Sequence, residues 1–393
     1  MLRAGLAFCL LVSGCGGGKG GTVVDAALGG DAGAGDGGGP DGATPDGGGP
    51  DGAAPGTAIV YVGGATISIF ALDLATGALT PRGTAAASSP SFLAVNPGKT
   101  TLYAVEEQAT GRVGAFSIAR SGANLGALTP LGSVASGGQG PTHVSVDRSG
   151  RWVLVANYGS GTVAVLPVQA GGGLAAAVDT ESPGANAHLI TVDPGNRFAF
   201  VPCLGSDRVA QFAFDANTGQ LTANPVPALA TAANAGPRHL DFRPGGGFAY
   251  LINERDETMT ALGYDSGTGR LTALQTLPAL PAGVGLAGNN GAEVFVHPSG
   301  KFLYGSNRGH NSIVAYTLDA TTGRMTLIGH TPTGGNTPRS FAIDPSGNLM
   351  LVANQGSGRI NAFRINQTTG ALTALAPVTN VASPAFVGIV VLP

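Results

Sequence analysis

The chain has 393 residues, 66 of them glycine, with 11% charged and 43% hydrophobic side chains; this mix departs from ordinary globular usage and suits a repetitive, sheet-rich body with a large apolar interior. Its formal charge of −3 comes from six aspartates between Asp25 and Asp51. From Thr57 onward the chain is close to neutral and has no Lys/Arg run, which argues against nucleic acid as a partner.

Residues 1–15 read as a signal peptide: Arg3 in a short charged start, an apolar run from Ala4 to Val12, then Ser13-Gly14-Cys15. The run is too short to span a bilayer. Val12-Ser13-Gly14-Cys15 resembles a bacterial lipobox, which implies cleavage before Cys15 and lipidation of its thiol, so the expected membrane attachment is a lipid anchor. Gly16 stands where aspartate would signal inner-membrane retention, so an outer-membrane address is expected, with the body in the periplasm or on the cell surface. Residues 16–56 are mostly Gly, Asp, Ala and Pro and contain almost nothing to bury, which predicts a disordered linker. The remaining cysteine, Cys203, has no partner for an intrachain disulfide in the body.

From residue 57 to 393 a Gly-x-Leu-Thr signature returns at Gly77, Gly126, Gly173, Gly219, Gly269, Gly323 and Gly370. Seven units of about 50 residues predict an all-β, seven-bladed β-propeller of four-stranded antiparallel blades. Each unit supplies an inner strand a such as His143-Val-Ser-Val or His239-Leu-Asp-Phe, and a turn such as Asp193-Pro-Gly-Asn. Strands b and c follow, and a Thr-Gly turn leads into strand d. The body begins with a strand b, Ile59-Val-Tyr-Val, and ends with a lone strand a, Phe386-Val-Gly-Ile. One blade is therefore expected to join both termini and remove the open sheet edges.

Repeat phase sorts the polar residues. The start of strand a carries Phe92, His143, His188, His239, Glu293, Ser340 and Phe386, so three of the six histidines share one position. Arg238 and Arg339 precede two of these. The b–c corners at the same end add Asn253-Glu254, Asn307-Arg308 and Asn354-Gln355. This end is expected to form a basic, amide-rich funnel for a small anion, because guanidinium forks bind carboxylate or phosphate bidentately. Asparagine at the end of strand b also suits turn capping, expected for at least half of these residues. Three histidines from consecutive blades around a wide channel are expected to stand too far apart for tetrahedral zinc, so no metal or other cofactor is expected.

Gly236-Pro-Arg-His-Leu, Tyr250-Leu-Ile-Asn-Glu, the stretch from Glu293-Val-Phe-Val-His-Pro-Ser-Gly to Asn307-Arg-Gly-His-Asn-Ser-Ile, and Thr337-Pro-Arg-Ser-Phe resemble the bacterial 6-phosphogluconolactonase family of seven-bladed lactonases. The resemblance implies metal-independent opening of a sugar-derived or carboxylated lactone. For a lactonase, the general base is expected to be Glu293 or a neighbouring histidine, His143, His188 or His239. Substrate contacts fall to Arg238, Arg308, Arg339, Asn253, Glu254, Asn307 and Gln355, and the protein is expected to act as a monomer. Asn186 and Cys203 replace a histidine and an aspartate of the family pattern. The alternative reading is a non-catalytic, envelope-tethered propeller that binds a small anion or a protein.

Overall fold

The computed structural model describes residues 57–393; the signal peptide, the lipidation at Cys15 and the linker all lie outside the described residues. Seven four-stranded antiparallel sheets follow in chain order. Blade one spans 93–135, blade two 141–181, blade three 191–230, blade four 237–278, blade five 290–332 and blade six 338–380. Blade seven is shared by the termini: Phe386–Leu392 pairs antiparallel with Thr57–Gly63, which pairs onward with Ile67–Leu72 and Leu79–Ala85. The expected closure by main-chain hydrogen bonds is what the chain adopts. Among the described residues, none forms a helix long and apolar enough to cross a membrane.

The signature glycine belongs to the joint between blades. Tyr61, Tyr103, Tyr250 and Tyr304 occupy one phase of strand b, and their hydroxyls donate to the carbonyls of Gly126, Gly172, Gly323 and Gly370 at 2.9–3.0 Å, each in the c–d turn of the next blade. Those turns need positive φ, 69° at Gly323 and 73° at Gly370, and the glycine lies directly against the neighbour. A Cβ on Gly323 would overlap the Phe248 ring, and one on Gly370 would overlap Phe302. A missing side chain and a buried phenol thus lock adjacent sheets at four of the seven joints.

The a–b turns hold the opposite end. Asp147 accepts the N–H groups of Ser149 and Trp152, and Asp193 accepts those of Gly195, Arg197 and Phe198. Strand a of blade three is shorter than its sequence suggests, reduced to Thr191–Val192. Its partner strand b carries Pro202, which takes the His188 N–H at its carbonyl but has no N–H to return.

Candidate active site

The seven equivalent positions at the start of strand a converge on the axis, and they meet more closely than expected. The Phe92 ring centroid lies 4.3 Å from that of His143 and 4.6 Å from that of Phe386, and His239 lies 5.6 Å from His143 and 5.1 Å from His188. The expectation of a wide channel that keeps the histidines apart is therefore corrected. The small Ser340 and the bulky Phe92 and Phe386 let the inner strands draw together, and His143, His188, His239 and Glu293 are all buried. The three imidazoles meet edge to face, T-shaped, as packed rings do.

This plug divides the axial space. On the a–b turn side lies a well of about 430 Å³, bordered by the plug and by Ser145, Thr191, Asp241 and Phe295 one layer down. On the corner side is a small recess of about 10 Å³ lined by Ser91, Phe92, Thr142, Arg238, His239, Glu293, Arg339, Ser340 and Ala385. The hydroxyls of Ser91 and Ser340 and Nε2 of His239 are buried there without hydrogen-bond partners.

Within the plug, His239 Nδ1 and Glu293 Oε1 are 2.6 Å apart. Burial holds His239 well below the usual imidazole range, reinforced by Arg238. Burial also pushes Glu293 up to about 7, against the lowering pull of Arg238. Both shifts disfavour a full ion pair. Once Glu293 ionises, it accepts the Nδ1 proton and leaves Nε2 of the neutral ring as a proton acceptor. His143 and His188 are likewise held neutral, first by burial and then by nearby positive charge.

Above the plug the guanidinium groups are already organised by carboxylates. Glu254 Oε2 lies 3.0 Å from Arg238 Nε and 3.0 Å from Arg308 Nη2. Arg238 also donates to the Ala292 carbonyl at 2.5 Å and Arg308 to that of Gly291 at 3.0 Å. Arg339 reaches Glu107 at 3.4 Å, from blade six to blade one across the blade that joins the termini. Three guanidinium groups thus face two carboxylates, so the mouth is less basic than a bare arginine funnel. Burial pushes Arg238 down to about 10, with Arg308 adding repulsion and Glu254 opposing it.

The expected asparagine contacts divide differently. Asn307 is buried and donates to the Ala279 carbonyl at 2.8 Å, on the crossover from the preceding blade, and Asn253 donates to Thr258 and Thr260. Asn157 and Asn354 make the same kind of crossover bond to Ser136 and Thr333. The amide nitrogens of Asn253 and Asn307 are therefore engaged in holding turns, while their Oδ1 atoms are buried without hydrogen-bond partners. Gln355 is half-buried at the start of a 3-10 turn, Gln355–Ser357, and its N–H bonds the Thr337 carbonyl. Cys203 occupies the same phase as Asn157, fully buried in the apolar core, so its place in the fold is structural. Asn186 sits at φ 55° and bonds the Tyr158 carbonyl at 3.3 Å, beside the tyrosine that packs edge-on against His188.

Sequence reasoning missed Glu107, Ser91 and Thr142. Their signal was available in the phase: Glu107 is the blade-one counterpart of Glu254 and Arg308, and Ser91 and Thr142 occupy the position of Arg238 and Arg339.

Known proteins share this fold. The family described as "Lactonase, 7-bladed beta-propeller" matches residues 59–389. A 6-phosphogluconolactonase of Bacillus subtilis is 32% identical over 71% of this chain and 81% of its own length. One from Pectobacterium carotovorum is 36% identical over 55% of this chain, an alignment that spans 64% of that protein. A periplasmic gluconolactonase of Pseudomonas aeruginosa superposes with a TM-score of 0.80 at 30% identity, covering 86% of this chain and all of that one.

Proposed function

The chain belongs to the seven-bladed β-propeller lactonase family, and from that premise we propose that it opens a small sugar-derived or carboxylated lactone by water attack at the recess between plug and arginine mouth. The observation that carries this reading is the recess itself: about 10 Å³, the scale of one water molecule, walled by a carboxyl–imidazole pair on one side and two guanidinium groups on the other.

Water in the recess gives a proton to His239 Nε2 as its oxygen bonds to the lactone carbonyl carbon, with Glu293 holding the imidazole through Nδ1. Arg238 and Arg339 stabilise the oxyanion as charge moves onto the carbonyl oxygen. Collapse breaks the bond to the ring oxygen, which takes the proton from the imidazole and leaves as a hydroxyl; the product is an open-chain hydroxy acid. Arg308, with Glu254 fixing its fork, binds an anionic or hydroxylated substituent. His143 and His188, both neutral, pack against His239 and hold its ring in place.

The exported address suggests which lactone. A leader ending at Cys15 would place the body in the cell envelope, tethered by lipid, and the similarity to a periplasmic gluconolactonase supports an unphosphorylated sugar lactone as substrate. The protein is assayed for acid release from gluconolactone, 6-phosphogluconolactone and simple γ-lactones, with thermal shift measured in parallel. Enzymatic opening of a sugar lactone is the expected result. Stabilisation by sugar acids without turnover of any lactone would instead favour a non-catalytic binder. Radiolabelled palmitate incorporated by wild type and not by Cys15→Ser tests the anchor.

A further inference from the structure

The crossover from blade four to blade five leaves a buried carboxylate without a partner. Four residues beyond the equivalent positions Asn157, Cys203, Asn253, Asn307 and Asn354 of strand b, successive blades place Gly161, Asp207, Glu257, Asn311 and Gly358, all at positive φ from 48° to 67°. Asp207 and Asn311 use their side chains to grip the crossover that follows: Asp207 accepts the N–H groups of Asn234 and Gly236 at 2.6 and 2.9 Å, and Asn311 accepts that of Thr337 at 2.8 Å. Glu257 stands in the same place, yet neither carboxyl oxygen has a hydrogen-bond partner although the residue is only 1% exposed.

The physical reason lies in the crossover. In blade four the chain runs from Pro278 to Asn290 between strands, whereas Ala230 to Pro237 and Pro332 to Pro338 suffice for its neighbours. The longer segment arches outward, and between it and the outer strands of the two blades lies a groove of about 400 Å³, within the range of small-molecule sites. Its walls are Leu280, Val284, Leu286, Tyr316 and Leu327, with Leu286 and Leu327 about half exposed. The only charged side chains that line it are Asp256 and Glu257. An apolar wall with unpaired negative charge at its base selects for hydrocarbon joined to a cation, because a buried carboxylate is stabilised by an opposite charge that leaves water with it.

We propose that this groove is a binding site for a small apolar amine, its ammonium group on the Glu257 carboxylate and its hydrocarbon against Leu280, Leu286 and Leu327. The site is separate from the lactone recess, of which Glu257 is not a wall, and it stands whether or not the lactonase reading does. Burial pushes Glu257 up to about 8 in the empty groove, against the lowering pull of Arg308 and with Glu254 and Asp256 adding repulsion, so affinity for the ammonium ion should increase as pH rises through that value, until the amine itself begins to lose its proton near ~10.4.

The test is calorimetric and NMR titration of the purified protein at pH 8 with hexylammonium, 1-hexanol and hexanoate. Hexylammonium is expected to bind at least tenfold more tightly than hexanol, with hexanoate weakest. Glu257→Gln should abolish the preference for the amine while leaving hexanol binding unchanged, and Leu286→Ser should weaken amine and alcohol together. Equal binding of amine and alcohol, a preference that survives Glu257→Gln, or no binding of any of the three would overturn the proposal.

Discussion

Glu293 on blade five and His239 on blade four share a 2.6 Å hydrogen bond across the blade boundary, with both side chains buried. Because burial raises Glu293 to about 7, the pair becomes an ionised carboxylate holding a neutral, proton-accepting imidazole only as pH climbs through that value. Enzyme-catalysed kcat/KM, corrected for spontaneous lactone hydrolysis, is therefore expected to rise across pH 6–8 and then level. Glu293→Gln should lower kcat by roughly tenfold to a hundredfold and remove the limb near pH 7. A limb that persists in Glu293→Gln and disappears in Glu254→Gln would move the proton-accepting role to the carboxylate at the rim.

Glu107 restrains Arg339 from across the mouth, at 3.4 Å and with both groups partly exposed. Removing that carboxylate frees one guanidinium for substrate. Glu107→Gln is expected to lower KM for an anionic lactone by about two- to fivefold, the modest scale of an exposed pair, with kcat little changed and the effect diminished at high salt. Arg238→Lys should behave differently, since Arg238 is buried and contacts Glu254 while bonding the Ala292 carbonyl. There the loss belongs in kcat as well as KM, because a point charge cannot reproduce the fork. Steady-state kinetics of both variants on one anionic and one neutral lactone check the split.

Most of the fold was legible because a propeller repeats its instructions. The signature glycine, stated seven times, the six glycine-containing a–b turns and the two half-blades at the ends each state a local rule, and the rules agree. The site was legible to the extent that it follows the same phase, which brings His143, His188, His239 and Glu293 onto one ring. What the phase does not encode is radius. Whether seven inner strands enclose an open funnel or a packed plug depends on how bulky Phe92, Phe386 and the imidazoles are against the small Ser340, a balance set by all blades at once. The partners of Asn307 and Arg339 were hidden for a related reason: Ala279 lies on the crossover between blades and Glu107 in another blade, far away in the sequence.

The tyrosine–glycine joints give a direct stability measurement. Tyr304→Phe removes one buried hydroxyl and leaves the Gly370 carbonyl without that donor, which should cost about 1 kcal/mol. Gly323→Ala is expected to cost about 3 kcal/mol or more, because it combines an unfavourable φ with overlap of a methyl on the Phe248 ring. Urea unfolding read by circular dichroism ranks the two, and the glycine substitution is expected to be the more damaging.

Glu257 makes stability depend on pH in a defined direction. Its carboxyl is raised from 4.5 to about 8 by burial, so between those values the folded state keeps a proton that the unfolded chain has released. Stability from this group is full below about pH 4.5 and declines as pH rises through 8. Glu257→Gln removes the titrating group while keeping its size. The variant is expected to unfold at a higher urea concentration than wild type at pH 9, by on the order of 2 kcal/mol, and to lose that advantage by pH 5. Saturating hexylammonium should narrow the same gap from the other side, by stabilising the wild-type carboxylate and not the glutamine. A urea midpoint that is higher in Glu257→Gln by the same amount at pH 5 and pH 9 would mean that the carboxyl does not titrate within the fold, and would assign the gain to packing alone.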